Sequence, residues 1–258
     1  MEEFTAVIFG LTLRYLAAGS AGDPAVLYIH GNLGSAVWYE KVMEVPGRRT
    51  VALDMPNFGM SEASGDFSMA GYARFVAGFI DEVLGAEECV VVGHSLGGVV
   101  AMELAASRPD LIERLMLVSP GPIEGLKTPQ SHYPAIERYR TDRAFLKTGL
   151  RAVAPYLRDE DFLDRITDMA ARMDSGAFLG HPKALDDADF RGRLGALPFP
   201  TMLLRGNADI IITEDMALRT AEHLGADFVA MPECGHSPMA ERPDEFLRVL
   251  AAFLEKES

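Results

Sequence analysis

The feature that most constrains the fold lies at residues 90–101, where a strand pattern, a glycine-rich turn and a helix pattern follow one another. The run of valines before Gly93 is typical of a strand buried on both faces of a parallel sheet. The spacing Gly93-x-Ser95-x-Gly97 is typical of a sharp strand-to-helix turn that presents a serine hydroxyl at its tip. Such a turn strains the backbone at the serine, and the flanking glycines let the strand and the helix pack closely. The segment therefore predicts a nucleophile elbow on a parallel sheet.

Further strand patterns, most of them separated by helix patterns, surround this segment. Residues 4–17 fit a hairpin that turns at Gly10. Most later strand patterns end in a loop rich in Gly, Pro, Asp, Asn or Ser, which is where open α/β sheets bind ligands. This alternation predicts the α/β class, with helices on both faces of the sheet. The strand patterns are 25–29, 50–53, 115–118, 201–205 and 227–231, and the helix patterns are 36–42, 69–84, 96–107, 214–223 and 243–254.

The alternation stops between residues 122 and 197, which carry helix patterns at 133–153 and 161–173 but no buried strand pattern. We expect this stretch to be an inserted helical cap, or lid, on a core formed by 1–121 and 198–258. Residues 122–158 hold seven basic and three acidic residues in a chain of net charge −14. This local excess suggests the hypothesis that the lid attracts an anionic acyl substrate or carrier.

Composition excludes several classes of protein. The chain has 258 residues, of which 48% are hydrophobic and 24% charged, as in a globular protein with a sizeable core. Its net charge of −14 disfavours nucleic acid and anionic membranes as partners, and no apolar run reaches bilayer-spanning length. Cys89 and Cys234 do not form a disulfide framework or a zinc motif. We expect free thiols, no metal site, a cytoplasmic location and a monomer or homodimer.

Three strand-end loops supply Ser95, Asp209 and His236, in that order. Serine is a poor nucleophile at neutral pH, so acyl transfer needs a base and a group that orients the base. We predict that His236 is the base and that Asp209 fixes its tautomer. Each residue also has an alternative interpretation. Asp209 could cap the following helix, in which case Glu124 would be the acid. Ser95 could be an ordinary turn residue, and His236 an ordinary loop residue.

A tetrahedral intermediate also needs hydrogen-bond donors for its oxyanion. Leu96 offers its backbone N–H at the start of the elbow helix, where the helix dipole adds a favourable potential. Asn32 offers a second N–H from the glycine-rich loop 30–35, and Leu33 is the alternative if the loop is shifted by one residue. Among the remaining histidines, His30 and His94 are expected to be structural, and His132 and His181 are expected at the lid surface.

Taken together, these motifs resemble the α/β-hydrolase fold superfamily over essentially the full chain. The resemblance implies an eight-stranded, mostly parallel sheet with a helical cap inserted after the sixth strand. It also implies a cofactor-free active site beneath that cap. The aspartate nucleophile of haloalkane dehalogenases and epoxide hydrolases is replaced here by Ser95. The matching segments are 30–35, 54–61, 93–97, 206–209 and 235–238.

Residues and resemblance together predict a serine carboxylesterase-like enzyme. We expect it to cleave carboxylic esters of small to medium acyl groups through an acyl-enzyme on Ser95, with a small-molecule ester as substrate. The same motifs are similar to those of lactonases, carbon-carbon bond hydrolases and cofactor-free perhydrolases. A low-turnover ligand-binding or signalling protein on this fold is a further alternative.

Overall fold

The computed structural model describes residues 1–85 and 88–256, which form an eight-stranded sheet with helices on both faces. The strand order is β1-β2-β4-β3-β5-β6-β7-β8. Strand β2 runs antiparallel to both of its neighbours, and the other pairs are parallel. The predicted α/β class and mostly parallel sheet are therefore confirmed. The strands are β1 Glu2–Ile8, β2 Leu11–Ala18, β3 Ala25–Ile29, β4 Arg49–Leu53, β5 Cys89–His94, β6 Ile112–Val118, β7 Thr201–Gly206 and β8 Asp227–Met231.

Most of the helices begin and end close to the predicted residues. The predicted helix over 133–153 is wrong in one respect, because the structure divides it into α3 and α4. Asp142 causes the division, since its side chain accepts a hydrogen bond from Phe145 N (2.9 Å) and caps α4. The α-helices of the described residues are α1 Met69–Phe79, α2 Leu96–Ser107, α3 Tyr133–Tyr139, α4 Arg143–Val153, α5 Glu160–Ala170, α6 Ala177–Asp186, α7 Glu214–Leu224, α8 Pro238–Glu241 and α9 Pro243–Glu255. A 3₁₀ helix spans Ala36–Val42, a π-helix at Ile80–Leu84 continues α1, and short 3₁₀ helices lie at Pro109–Leu111 and Gln130–His132.

Two hydrophobic clusters lie on opposite faces of the sheet. Helices α1, α2 and α7 cover one face, where they meet Leu27 and Ile29 of β3. The 3₁₀ helix and α9 cover the other face, where Val26 and Tyr28 of the same strand point. Because successive side chains of a strand point to opposite faces, a strand buried on both faces needs an unbroken apolar sequence. This explains why the central strands were recognisable as continuous apolar runs.

Helices α3 to α6 lie between β6 and β7, in the stretch predicted to be the cap, and we call residues 122–197 the cap segment. Helix α6 packs with the α1 side of the sheet through Phe178. Helices α4 and α5 pack with the opposite cluster through Leu150 and Phe162. The cap segment thus contacts both layers that flank the sheet. The division into a core domain and a cap domain stays a prediction, and residues 86–87 and 257–258 of the predicted core lie outside the described residues.

Candidate active site

The elbow has the strained geometry that its sequence predicts. Ser95 joins β5 to α2 with φ 53° and ψ −116°, a conformation that non-glycine residues rarely adopt. A Cβ at Gly97 would lie 2.3 Å from the carbonyl oxygen of Ile29, so only glycine fits the approach of α2 to β3. Ser95 is partly exposed, whereas His94 and Leu96 on either side are buried. The strain is therefore maintained at a residue whose side chain remains accessible.

Asp209 and His236 meet at the same edge of the sheet. Asp209 Oδ2 accepts a hydrogen bond from His236 Nδ1 at 2.8 Å, and its other oxygen accepts from the backbone N–H of Ile211 (2.8 Å) and Ile212 (3.1 Å). Burial alone would raise the pKa of Asp209, but the nearby His236 and these hydrogen bonds lower it to about 2. The carboxylate is therefore ionised and can hold the Nδ1–H tautomer of His236, which leaves Nε2 free to accept a proton.

The alternatives for the acid find no support in the geometry. Thr213, rather than Asp209, caps α7, because its side chain accepts from Met216 N (3.3 Å). Glu124 follows β6 as expected but pairs with Arg219, with an Oε1 to Nε distance of 3.2 Å. His236 contacts Asp209 instead, so Asp209 is the carboxylate that can orient it.

His94 connects the elbow to the His236 loop. Its Nε2–H donates to the backbone carbonyl oxygen of His236 at 2.9 Å, and the two rings are centred 4.9 Å apart. Burial, reinforced by the adjacent His236, lowers the pKa of His94 to about 3, so this histidine is neutral. A Cβ at Gly31 would lie 2.9 Å from His94 Nδ1 and 3.0 Å from the Cβ of Ser95. The glycine-rich loop, the elbow and the His236 loop are therefore in direct contact.

Glu241 stabilises the His236 loop by hydrogen bonds to its backbone, a role that the sequence did not predict. Its carboxylate accepts from the backbone N–H of Gly235 and of Ser237, each at 3.0 Å, on either side of His236. The same carboxylate accepts from Tyr156 N of the cap segment at 3.0 Å. Burial raises the pKa of Glu241. The only sequence signal was its position five residues after His236, on the first helical turn beyond the loop.

The two predicted oxyanion donors come from two different segments, the glycine-rich loop after β3 and the start of α2. Leu96 is the first residue of α2, and the first N–H groups of a helix have no partner within it. The N–H of Leu33 donates to Asn32 Oδ1 at 3.0 Å and is already occupied. Within the described part of the chain, neither Asn32 N–H nor Leu96 N–H has a hydrogen-bond partner. The geometry thus favours Asn32 over Leu33, although the roles of both donors stay predictions.

His181 was expected at the lid surface, and this expectation is wrong. The residue is fully buried in α6, where Nδ1 contacts Asn32 Oδ1 at 2.8 Å and Nε2 contacts the hydroxyl of Tyr72 at 2.7 Å. Helical periodicity could have placed it correctly, because Phe178 and Leu185 lie three residues before and four after it on the same face. His132, the other lid histidine, is exposed as expected.

The basic residues of α4 form ion pairs with acidic residues of α5. On α4, Arg143 contacts Asp168 at 2.6 Å and Lys147 contacts Asp164 at 2.7 Å, and Arg151 pairs with α5 in the same way. The acidic residues of α5 lie outside the basic stretch counted in the sequence, and they offset the positive charges of α4. The positive charges of α4 are therefore not left free to attract an anionic substrate.

The buried neutral histidines make stability depend on pH. In the folded protein, burial lowers the pKa of His94 and of His181 to about 3, while an unfolded histidine titrates near 6.5. The unfolded chain binds more protons between these values, so stability is complete above about pH 6.5 and falls as the pH falls. Between pH 7 and pH 5, each histidine should remove about 2 kcal/mol from the free energy of unfolding.

Urea titration of wild type and His181→Phe at both pH values checks this expectation. The loss of stability on acidification should be smaller in His181→Phe by about 2 kcal/mol. The matched control is His132→Phe, since His132 is exposed and its loss should leave the pH dependence unchanged. Equal losses in His181→Phe and wild type would contradict the assignment of a buried neutral His181.

Comparison with known proteins identifies the family. The sequence profile described as "Alpha/beta hydrolase family" matches residues 26–249. The chain belongs to this family. The resemblance expected from the motifs is therefore confirmed. The curated relatives include the sn-1-specific diacylglycerol lipase ABHD11 of Mus musculus, which is 38% identical over 130 residues, spanning 48% of this chain and 41% of that protein.

Other similarities extend over the whole chain. The pimeloyl-(acyl-carrier protein) methyl ester esterase of Pectobacterium carotovorum is 25% identical, with coverage of 93% of this chain and 98% of that protein. Among solved structures, the enol-lactonase of Burkholderia xenovorans LB400 superposes with a TM-score of 0.87 at 23% identity, covering 98% of this chain and 100% of that chain. The latter similarity establishes the shared fold.

The described residues form neither a cluster that could hold a metal ion nor a helix that could span a membrane. Among residues 1–85 and 88–256, no group of three or more His, Cys, Asp or Glu side chains is arranged to hold a metal ion. Within the same ranges, no helix is both long enough and apolar enough to cross a membrane.

Proposed function

We propose that the protein is a serine hydrolase that cleaves carboxylic esters of small to medium acyl groups through an acyl-enzyme on Ser95. The observation that carries the proposal is the 2.8 Å hydrogen bond between Asp209 and His236, in a loop joined through His94 to the strained elbow. The family membership of the chain and the ester-cleaving enzymes among its relatives support it.

In the proposed reaction, Ser95 Oγ attacks the ester carbonyl carbon while His236 Nε2 takes its proton. The carbonyl oxygen becomes an oxyanion that accepts hydrogen bonds from Asn32 N–H and Leu96 N–H. When the intermediate collapses, His236 returns the proton to the leaving alkoxide, and the alcohol departs from an acyl-Ser95. A water molecule, deprotonated by His236, then attacks the acyl carbon, the bond from that carbon to Ser95 Oγ breaks, and His236 returns the proton to Oγ as the carboxylic acid is released. Asp209 stabilises the imidazolium formed in each half-reaction.

The location and partners of the protein form the second part of the proposal. Cys89 and Cys234 are both buried free thiols, and burial raises the pKa of Cys89 to about 12. Free thiols suit a reducing compartment, which supports the cytoplasmic location. The proposed substrate is a small-molecule ester, and the proposed oligomeric state is a monomer or homodimer, which sedimentation analysis measures.

A fluorophosphonate probe and a graded ester panel together test the proposal. In the folded protein, the probe should modify Ser95, and urea-unfolded protein should remain unmodified because the activated serine no longer exists. Chromogenic esters of increasing acyl length should be turned over, with the rate falling beyond medium chains. Lactones and vinylogous diketones in the same panel distinguish the lactonase and carbon-carbon hydrolase alternatives. Labelling without turnover would favour the ligand-binding alternative, and absence of labelling would refute the proposed nucleophile.

A further inference from the structure

A buried chain of hydrogen bonds joins α1 and α6 to the glycine-rich loop. Asn57 Nδ2 donates to the hydroxyl of Tyr72 at 2.9 Å, and that hydroxyl contacts His181 Nε2 at 2.7 Å. His181 Nδ1 contacts Asn32 Oδ1 at 2.8 Å, and Asn32 Oδ1 also accepts from Leu33 N at 3.0 Å. Tyr72 and His181 are each at most 1% exposed. The chain therefore ends on the predicted oxyanion loop, sealed from solvent along most of its length.

The donors and acceptors in this chain permit one arrangement of protons. Asn32 Oδ1 accepts from Leu33 N–H and can only accept, so His181 Nδ1 must donate to it. The neutral ring then accepts at Nε2 from the Tyr72 hydroxyl, whose oxygen accepts from Asn57 Nδ2. Neutral imidazole with an accepting Nε2 carries its proton on Nδ1, which donates to Asn32 Oδ1. Burial lowers the pKa of His181 to about 3, so the neutral form is present throughout the physiological range.

Packing fixes the His181 ring in this orientation. It stacks on Phe58 with centroids 4.7 Å apart and planes inclined by 7°, and it meets Phe67 edge-on at 5.8 Å. Asn32 Oδ1 is thus held from one side by a rigid imidazole N–H and from the other by Leu33 N–H. Because Leu33 N–H is occupied in this way, Asn32 N–H is the one of the two candidate loop donors that remains available.

We propose that His181 is a positioning residue for the oxyanion hole, acting through its hydrogen bond to the Asn32 side chain. The inference rests on the proposed ester hydrolysis and assigns to the cap segment a part in building the site. An oxyanion donor is effective only when it is held in place before the reaction, and a displacement of about 1 Å can cost roughly 100-fold in rate. His181 would provide this restraint from a helix far from the loop in sequence.

A double-mutant cycle tests the proposal. His181→Phe keeps a ring for the stack on Phe58 and removes both hydrogen bonds, and Asn32→Ala removes the acceptor while keeping the backbone N–H. Each variant should lower kcat by roughly 10- to 100-fold with KM changed by less than about threefold. The double variant should be no slower than the slower single variant, because both act on one interaction. His223→Phe is the matched control, since the Nε2 of His223 bonds Leu194 O in another part of the fold.

An inhibitor separates positioning from a general loss of structure. A trifluoromethyl ketone forms a tetrahedral adduct whose oxyanion occupies the hole, so its affinity should fall by the same factor as kcat/KM in His181→Phe. The affinity for a nonhydrolysable ether analogue of the substrate should stay within about threefold of wild type. Multiplicative losses in the double variant, or a change confined to KM, would overturn the proposal.

Two further measurements distinguish a failure of this proposal from misfolding of a variant and from a failure of the proposed function. If His181→Phe does not fold, His181→Asn retains an amide donor near the Nδ1 position and should keep most of the wild-type kcat, in contrast to Asn32→Ala, which has lost the acceptor. NMR of ¹⁵N-histidine in the unmodified protein should show His181 protonated at Nδ1 and unprotonated at Nε2. The opposite tautomer would overturn the inference even in an active enzyme. Absent ester turnover with the expected tautomer would instead refute the proposed function.

Discussion

Replacing Ser95 with alanine should lower kcat for ester hydrolysis by about 10⁵- to 10⁶-fold. The variant retains the proposed oxyanion donors and the Asp209–His236 pair, but water would have to attack the ester directly. KM should change little, because Ser95 Oγ contributes mainly to the transition state. Steady-state kinetics on a chromogenic ester, with the fluorophosphonate probe to exclude wild-type contamination, measures the effect.

The controls for this variant use a neighbouring serine and a double variant. Ser119→Ala changes a serine at the carboxyl end of the adjacent strand β6, whose buried Oγ has no hydrogen-bond partner among the described residues. It should retain kcat within about twofold. Adding His236→Ala to Ser95→Ala should cause little further loss, since the base has no function without the nucleophile. A loss below tenfold in Ser95→Ala would contradict the acyl-enzyme mechanism.

The sheet and the strand-end residues could be predicted because their signals are local. Each central strand is an unbroken apolar run in the sequence. Gly93 and Gly97 on either side of Ser95 indicate the strained turn of the elbow. Asp209 and His236 could be placed at one edge because parallel strands bring their carboxyl ends together, although 27 residues separate them. The order of the residues along the chain and the topology of the sheet were therefore sufficient to predict that Asp209 and His236 lie at one edge.

The supporting residues could not be predicted in the same way, because their roles arise from distant contacts. His181 bonds Asn32 across 149 residues, and Glu241 bonds Tyr156 across 85 residues. Both interactions depend on how the cap segment packs, which no strand pattern fixes. The helical periodicity of the apolar residues could have shown that His181 faces inward. It could not have shown that His181 contacts Asn32. The same limit applies to the lid charges, whose partners lie on the next helix.

The second large effect is expected for Asp209→Asn, which should lower kcat by about 10⁴-fold at almost unchanged volume. The N–H groups of Ile211 and Ile212 both donate to Oδ1 of Asp209, so the amide oxygen of the variant must take that position. The amide NH₂ then faces His236 Nδ1, which has to become an acceptor. The histidine proton moves to Nε2, and the imidazole cannot take the proton of Ser95.

Glu124→Gln is the matched control for Asp209→Asn, because it neutralises the other carboxylate considered for the acid. Glu124 contacts Arg219 near the surface rather than His236, so kcat should stay within about twofold of wild type. Kinetics on one ester and the thermal unfolding of both variants measure the comparison. If Glu124→Gln loses more activity than Asp209→Asn at equal stability, Asp209 is not the orienting acid. If Asp209→Asn alone is slow while KM is retained, the loss lies in the tautomer of His236 and not in substrate binding.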